Sequence, residues 1–397
     1  MRDAQGVAID SMMAPPEGPA GQPRQLVIRF TGSGSEYFRI WIVNLLLVLV
    51  TLTLYYPWAK ARRLRYFHGH TLVDGTPLGF HGNPRAMLRG YLLVGLLFVL
   101  YSVAGQFSVL AGLVALVLVA VIAPALFKSA MRFRLANTSW RGMRFVFSGT
   151  TGQAYRALLP MFVPAVLGAG ALVWVANPEK PPLWYGFLIL AVSLGTVAVL
   201  PWLLWNLKRY QHENYGLASL QTGFKATIGA FYLLAFKCLG LGFLMVLPLL
   251  AAVAYGFAQV GAARSGGAGA AGPLMVATAM ALVLPLMLAT YVTVKTYFTT
   301  SLQNLVWTKT GNRSMRFVSK LRFSRLFWLT VKNWLLMLLT LGLYWPFAAI
   351  ATTRMRLEAV IVKTRQDPAT LVSLLQASDV EASGDAAGDL LGIDIGL

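Results

Sequence analysis

Four histidines, His68, His70, His81 and His212, are the first residues to weigh for chemistry, because imidazole is both the commonest metal ligand and a ready proton carrier. His68 and His70 stand two apart, a spacing that shares a face only on a strand. The single cysteine, Cys238, lies in an apolar stretch and reads as a small buried hydrophobe. It permits no internal disulfide and no cysteine-based metal site. Of the acids, only Asp74 and Glu213 fall in the basic connections of the middle of the chain. A metal site needs a convergent set of such ligands. The histidines therefore read as turn and surface residues, and no metal or cofactor is expected. The parts of common catalytic sites are missing too: there is no Gly-x-Ser-x-Gly turn, no Walker loop and no glycine-rich dinucleotide fingerprint. The chain is not expected to be an enzyme.

Cations are what the sequence offers in quantity. Lys and Arg total 34 against 14 acids, a net charge of +20. Arg62, Arg63, Arg65, Arg132 and Arg209 are interleaved with aromatic residues such as Tyr66, Phe67, Trp140 and Tyr210. They are candidate contacts for an anionic lipid headgroup or solute, because polybasic clusters beside a membrane attract anionic lipid. Within the apolar segments, Asn44, Thr51, Asn333 and Thr340 are candidates for a polar path or for helix packing. Lys237 and Lys332 stand near helix ends and can snorkel.

These side chains need elements to hold them. Hydrophobic residues make up 57% of the chain and charged ones 12%, about half the usual share of a soluble domain. A membrane body with basic rims is implied. A nucleic-acid partner is not expected, since a basic nucleic-acid binder lacks such long charge-free runs. The runs without Asp, Glu, Lys or Arg are 40–59, 90–127, 157–178, 181–207, 238–263, 265–294 and 333–353. One straight helix over 90–127 would be about 57 Å long, nearly twice the hydrocarbon thickness. It must fold back, and Gly105-Gln106-Phe107-Ser108 is the expected turn. Three helical hairpins follow, over 88–128, 156–207 and 236–298, flanked by apolar segments at 40–58 and 328–350. Basic residues crowd the connections 59–89, 128–156, 208–237 and 295–332, whereas the larger hairpin tips carry only Lys180 and Arg264. By the positive-inside rule those connections are cytoplasmic. Residues 1–24 and the acidic stretch 367–397 read as disordered tails around a repeated membrane domain at 25–366.

The connections repeat. A shift of 67 pairs Arg65 with Arg132, Thr71 with Thr138, Gly75 with Gly142, Phe80 with Phe147 and Gly82 with Gly149. A third copy aligns Asn137 and Trp140 with Asn304 and Trp307, then Arg141–Val146 with Arg313–Val318 after five extra residues. A weaker copy runs from Leu207 to Phe224. Val73-Asp74-Gly75-Thr76 and the alternating Arg144-Phe145-Val146-Phe147 suggest small β-hairpins at the membrane surface. The flanks match each other at a shift of 289, which pairs Asn44 with Asn333, Thr51 with Thr340, Pro57 with Pro346 and Arg65 with Arg354. The fold expected is an all-α polytopic membrane protein with six full transmembrane helices and two broken or re-entrant segments. Eight full spans are the alternative. Small hairpin-like connectors lie on the cytoplasmic side in both.

The stretch Tyr55-Tyr56-Pro57-Trp58-Ala59-Lys60, then Arg62-Arg63-Leu64-Arg65-Tyr66-Phe67, His70-Thr71, Asp74-Gly75 and Phe80-His81-Gly82, resembles the YjgN family of bacterial inner-membrane proteins. The resemblance covers about 27–365. It implies a multi-pass protein of the bacterial inner membrane, and the family brings no established activity. The function expected is non-enzymatic: organising anionic lipid or partner proteins through the basic-aromatic rim. A transporter or channel for a small anionic solute is the alternative. Oligomeric state and protein partners are left open.

Overall fold

The computed structural model describes residues 24–175, 180–217, 220–262 and 271–365. The two expected tails, apart from Arg24, lie outside the described residues, as do parts of two hairpin tips. Short strands alternate with helical hairpins along the chain. The strands are β1 (Arg24–Phe30), β2 (Thr71–Val73), β3 (Thr76–Phe80), β4 (Thr138–Trp140), β5 (Met143–Phe147), β6 (Tyr215–Leu217), β7 (Leu220–Gln221), β8 (Gly223–Phe224), β9 (Thr310–Gly311), β10 (Met315–Ser319) and β11 (Val360–Thr364). The helices are α1 (Gly34–Val50), α2 (Tyr56–Gly69), α3 (Pro84–Phe107), α4 (Val109–Ala136), α5 (Thr151–Leu158), α6 (Val163–Leu172), α7 (Leu183–Glu213), α8 (Ile228–Ala262), α9 (Ala271–Thr308), α10 (Phe323–Leu339) and α11 (Trp345–Glu358).

All strands join one antiparallel sheet in the order β7-β6-β5-β4-β3-β2-β1-β11-β10-β9-β8. Its two ends, β7 and β8, are separated in the chain only by Thr222, whose N–H bonds the Tyr215 carbonyl at 2.8 Å. The sheet therefore closes on itself as a ring of five hairpins. In β3, residues 76–77 pair back to β2 and 78–80 pair forward to β4. β5 divides in the same way between β4 and β6, and β7 with β8 is the same strand split at Thr222. Closure leaves no free edge, which removes the usual route to edge-to-edge aggregation. Leu26, Trp140, Met143, Leu217 and Val362 are buried together from five strands, with Phe145, Met315 and Phe317 against them. The ring is filled with apolar side chains.

The fifth hairpin is made by the chain's two ends: β11 pairs with β1, with Val27 opposite Ile361 and Arg24 opposite Thr364. Two of the covalent hairpins turn on residues with positive φ, Asp74-Gly75 (52° and 76°) and Arg141-Gly142 (50° and 80°). This is the backbone of the type I′ turn, which matches strand twist.

Every connection between hairpins is a helical excursion that leaves the ring and comes back to it. Neighbouring helices pack in chain order, and α11 packs on α1, so the helices also form a closed circle. At the α3–α4 turn Ser108 caps α4 by accepting the Ala111 N–H. The helices there approach so closely that a Cβ on Gly112 would lie 3.1 Å from the Gly105 Cα.

Three features overturn the expected all-α fold of six full spans with two broken or re-entrant segments, or of eight. First, among the described residues four helices are long and apolar enough to cross a membrane: Pro84–Phe107, Val109–Ala136, Leu183–Glu213 and Ile228–Ala258. The run 157–178 adds a fifth only as the pair Thr151–Met161 and Val163–Leu172, bent by 51°. Second, the flanks are not spans, which rules out the eight-span alternative. α1 and α10 have 17 residues each, α2 and α11 have 14. The chain leaves the sheet at Phe30 and rejoins it at Thr71, Phe30's own partner in the ladder. The second flank leaves at Ser319 and rejoins at Val360, again a cross-strand pair. Leu49, Val50, Leu52, Leu338, Leu339 and Leu341 at the tips are exposed, which suits hydrocarbon rather than an interface. Third, the connectors are not separate hairpins on a helical protein but one continuous sheet. Strands of two to seven residues are too short to declare their pairing by periodicity, and the pairing that matters joins residues far apart in the chain.

The ring also corrects the repeat. Thr71, Thr138 and Thr310 each open a strand and donate a hydroxyl hydrogen bond to the carbonyl four residues back, at 2.7, 2.8 and 2.7 Å. A single shift of 172 carries Thr138 onto Thr310 and Arg144 onto Arg316. No five-residue insertion is needed, and Asn304 falls on Arg132 rather than on Asn137.

Candidate functional site: the basic collar of the ring

Helices enter the ring at one level, and the side chains there are organised by the repeat. Phe30, Phe80 and Phe147 each lie over the glycine two residues on, where a Cβ would come within 2.7, 2.5 and 2.6 Å of the ring. Only glycine leaves room for the aromatic. Tyr66, Phe133 and Tyr210, the residues after Arg65, Arg132 and Arg209, approach the same glycines from the helix of the following module. The arginines thereby hold equivalent positions in their modules.

Arg65 donates to the Gly82 carbonyl at 3.3 Å. Arg354, at the equivalent place in the module closed by the chain ends, donates to the carbonyls of Phe30 (3.2 Å) and Gly32 (2.8 Å). Asn304 does the same work for its module, donating to the Leu321 carbonyl and accepting the Leu321 N–H, both at 2.9 Å. Arg132 is exposed and makes no hydrogen bond or ion pair among the described residues. Arg209 is exposed, pairs with Glu213 at 2.9 Å and lies over the Trp205 ring. Arg62 donates to Asn44 and to the Tyr55 hydroxyl, each at 3.1 Å. Arg63 lies between the rings of Phe67 and Trp345.

The polar residues of the apolar flanks hold the two short hairpins together. Asn44 accepts from Arg62, and Asn333 donates to Thr352 at 3.3 Å, so each ties its rising helix to its returning one. The Asn333 Oδ1 is buried without a hydrogen-bond partner among the described residues. Thr51 donates to the Leu47 carbonyl and accepts the Tyr55 N–H. Thr340 does likewise with Leu336 and Tyr344.

The four histidines do not converge. His68 and His70 bond the carbonyls of Leu64 and Tyr66, each at 2.8 Å, and must donate to do so. His81 meets Ser139 and buried His212 meets Thr310. Burial lowers the His68 pKa, and Arg134 lowers it further against the Leu64 bond. Among the described residues no three His, Cys, Asp or Glu side chains gather as a metal site would require.

One group was not legible in the sequence. At the ring ends of α7, α9 and α11, Lys208 bonds Gln211 at 3.1 Å. There too the Arg356 guanidinium donates to Gln303 at 2.8 Å, and Gln303 returns a bond to the Arg356 carbonyl at 2.8 Å. Lys208 and Arg356 repel one another although α7 and α11 are not neighbours in the circle. Arg356 keeps accessible surface yet is so surrounded by protein that burial lowers its pKa. Neither cation has a carboxylate within ion-pair distance among the described residues. The spacing Thr296, Thr300, Gln303 on one buried face of α9 was the available signal.

The family described as "Bacterial protein of unknown function (DUF898)" matches residues 25–390. Inner membrane protein YjgN of Salmonella typhimurium is 27% identical over 350 residues, 81% of this chain and 84% of that protein. Inner membrane protein YjgN of Escherichia coli K12 is 24% identical over 242 residues, 57% of this chain and 58% of that one. The matched region thus spans little more than half of the E. coli relative. No solved structure matches. The relatives' names and the apolar helices make this a multi-pass protein of the bacterial inner membrane, and no name among them carries an activity.

Proposed function

Because this chain belongs to the DUF898 family and is a YjgN-type inner-membrane protein, we propose that it binds and organises anionic lipid headgroups, without catalysing a reaction. The positive-inside bias puts the ring on the cytoplasmic side. The observation that carries this reading is the placement of Arg65, Arg132 and Arg209. All three are exposed at equivalent positions, each one residue before an aromatic that is locked onto the ring. A belt of cations at equivalent positions beside aromatic anchors is what an anionic leaflet attracts, at about 1 kcal/mol per charge near the surface. Native mass spectrometry of the protein released from membranes tests it. Retained phosphatidylglycerol or cardiolipin should fall when Arg65, Arg132 and Arg209 are changed together to Gln. Unchanged retention sinks the reading.

A second reading, passage of a small anion, is favoured by Lys208 and Arg356, two cations at the ring ends of their helices with no carboxylate in ion-pair distance among the described residues. Liposome flux of chloride or phosphate that is lost in Lys208→Gln, with folding intact, would replace the first reading by this one.

A further inference from the structure

The outer wall of the ring has a notch that the collar does not explain. Between β8, β9, β10 and the end of β11 lies a cavity of about 610 Å³, within the size range of small-ligand pockets. Six cations line it: Lys225, Lys309, Arg313, Arg316, Lys363 and Arg365. No acid does. The described acids are all engaged elsewhere: Asp74 with Arg24 and Arg141, Glu213 with Arg209, Glu36 with Tyr66, and Glu358 with the Phe30 N–H.

The backbone creates the recess. Gly311 stands opposite Gly223 on one side and Arg316 on the other, so the wall has no side chains at its centre. A Cβ on Gly311 would come within 2.7 Å of the Met315 carbonyl oxygen, so the gap cannot be filled without moving β10. Beside it Arg316 and Lys363 are direct cross-strand partners, both on the exposed face. Like charges directly opposite each other destabilise a ladder. Two cations held in that register, with four more around the recess, concentrate positive charge that no described acid offsets.

The geometry points to an anion-binding site in this notch for a ligand carrying two or more phosphate groups. A single small anion would leave most of the volume and most of the charge unused. Two sources share this chemistry: a soluble polyphosphorylated molecule and a phospholipid headgroup reaching the wall. The inference uses none of Arg65, Arg132 and Arg209, so it stands or falls apart from the collar reading.

Thermal unfolding of the full chain in nanodiscs decides it. The probes are tripolyphosphate in neutral phosphatidylcholine discs, with sodium chloride matched for ionic strength, and discs in which cardiolipin replaces part of the neutral lipid. The double variant Arg316→Gln, Lys363→Gln is compared with the parent. The parent should gain several degrees in one arm, and that arm names the source. The variant should be at least as stable without ligand, because the repelling pair is gone, and should bind tripolyphosphate or cardiolipin about tenfold more weakly or worse. No gain by the parent in either arm overturns the inference. So does an equal gain by the variant.

Discussion

Arg24 lies directly opposite Thr364 in the β1–β11 ladder, so the first and last strands of the sheet form a hairpin that lacks only its turn. The ring depends on both ends of the described chain. Ending the protein before Val360 should expose the long edges of β1 and β10 and give aggregated material in detergent. A circular permutant that joins Thr364 to Arg24 through a short Gly-rich loop and opens between Gly75 and Thr76 should instead elute and melt close to the parent. Size-exclusion chromatography and thermal melts of both proteins check this.

Asp74 ties two hairpins to a third. Its carboxylate takes Arg141 at 2.9 Å and Arg24 at 3.1 Å. Asp74→Asn should lower stability by about 1 kcal/mol, because the pairs are partly exposed, while Asn still accepts the positive φ of the turn. Asp74→Ala should cost more, since it adds backbone strain to the lost charge. If thermal melts find the Ala and Asn variants equal, the turn conformation contributes nothing.

The Phe-over-Gly contacts predict a contrast between glycines. Gly82→Ala and Gly149→Ala place a methyl group against an aromatic ring and should each cost about 1–3 kcal/mol. Gly90, inside α3, has nothing within 4 Å of an added Cβ. Gly90→Ala should be neutral or slightly stabilising, as expected for relief of glycine's helix penalty. Melting temperatures of the three variants in one detergent make the comparison.

His68 gives a pH dependence whose sign is fixed. Its pKa in the folded protein lies below the ordinary value of 6.5, mainly through burial. The unfolded chain therefore binds the proton more readily, and folded stability falls as the pH drops below about 6.5. His68→Gln should flatten that part of the stability profile between pH 7 and 5. A profile unchanged by the substitution would show that other groups set it.

Much of this architecture is written locally, and the part that is not has a definite cause. Long apolar runs announced α3, α4, α7 and α8, and Asp74-Gly75 and Arg144–Phe147 announced hairpins. The ring did not appear because β1 meets β11, and β8 meets β9, across hundreds or tens of residues, through ladders of four and two pairs. The alignment of Asn304 with Asn137 followed residue identity, whereas the structure aligns by role: Asn304 and Arg65 both close their modules on the strand–helix loop. Thr51 and Thr340 stood out as polar residues in apolar segments, and what they bond is the backbone of their own turns. Lys208 and Arg356 could not be paired from sequence, since α8, α9 and α10 intervene.

The two short excursions, α10–α11 and α1–α2, are neighbours in the circle because α11 packs on α1. Helices of 17 and 14 residues rise about 26 and 21 Å, less than the hydrocarbon depth of about 30 Å, whereas the single helices α3, α4 and α7–α9 have 24 residues or more. The protein is therefore built like a cask with two adjoining short staves. On that side the exposed Leu52 and Leu341 tips stop short of the far leaflet's surface, so acyl chains of that leaflet must close over them.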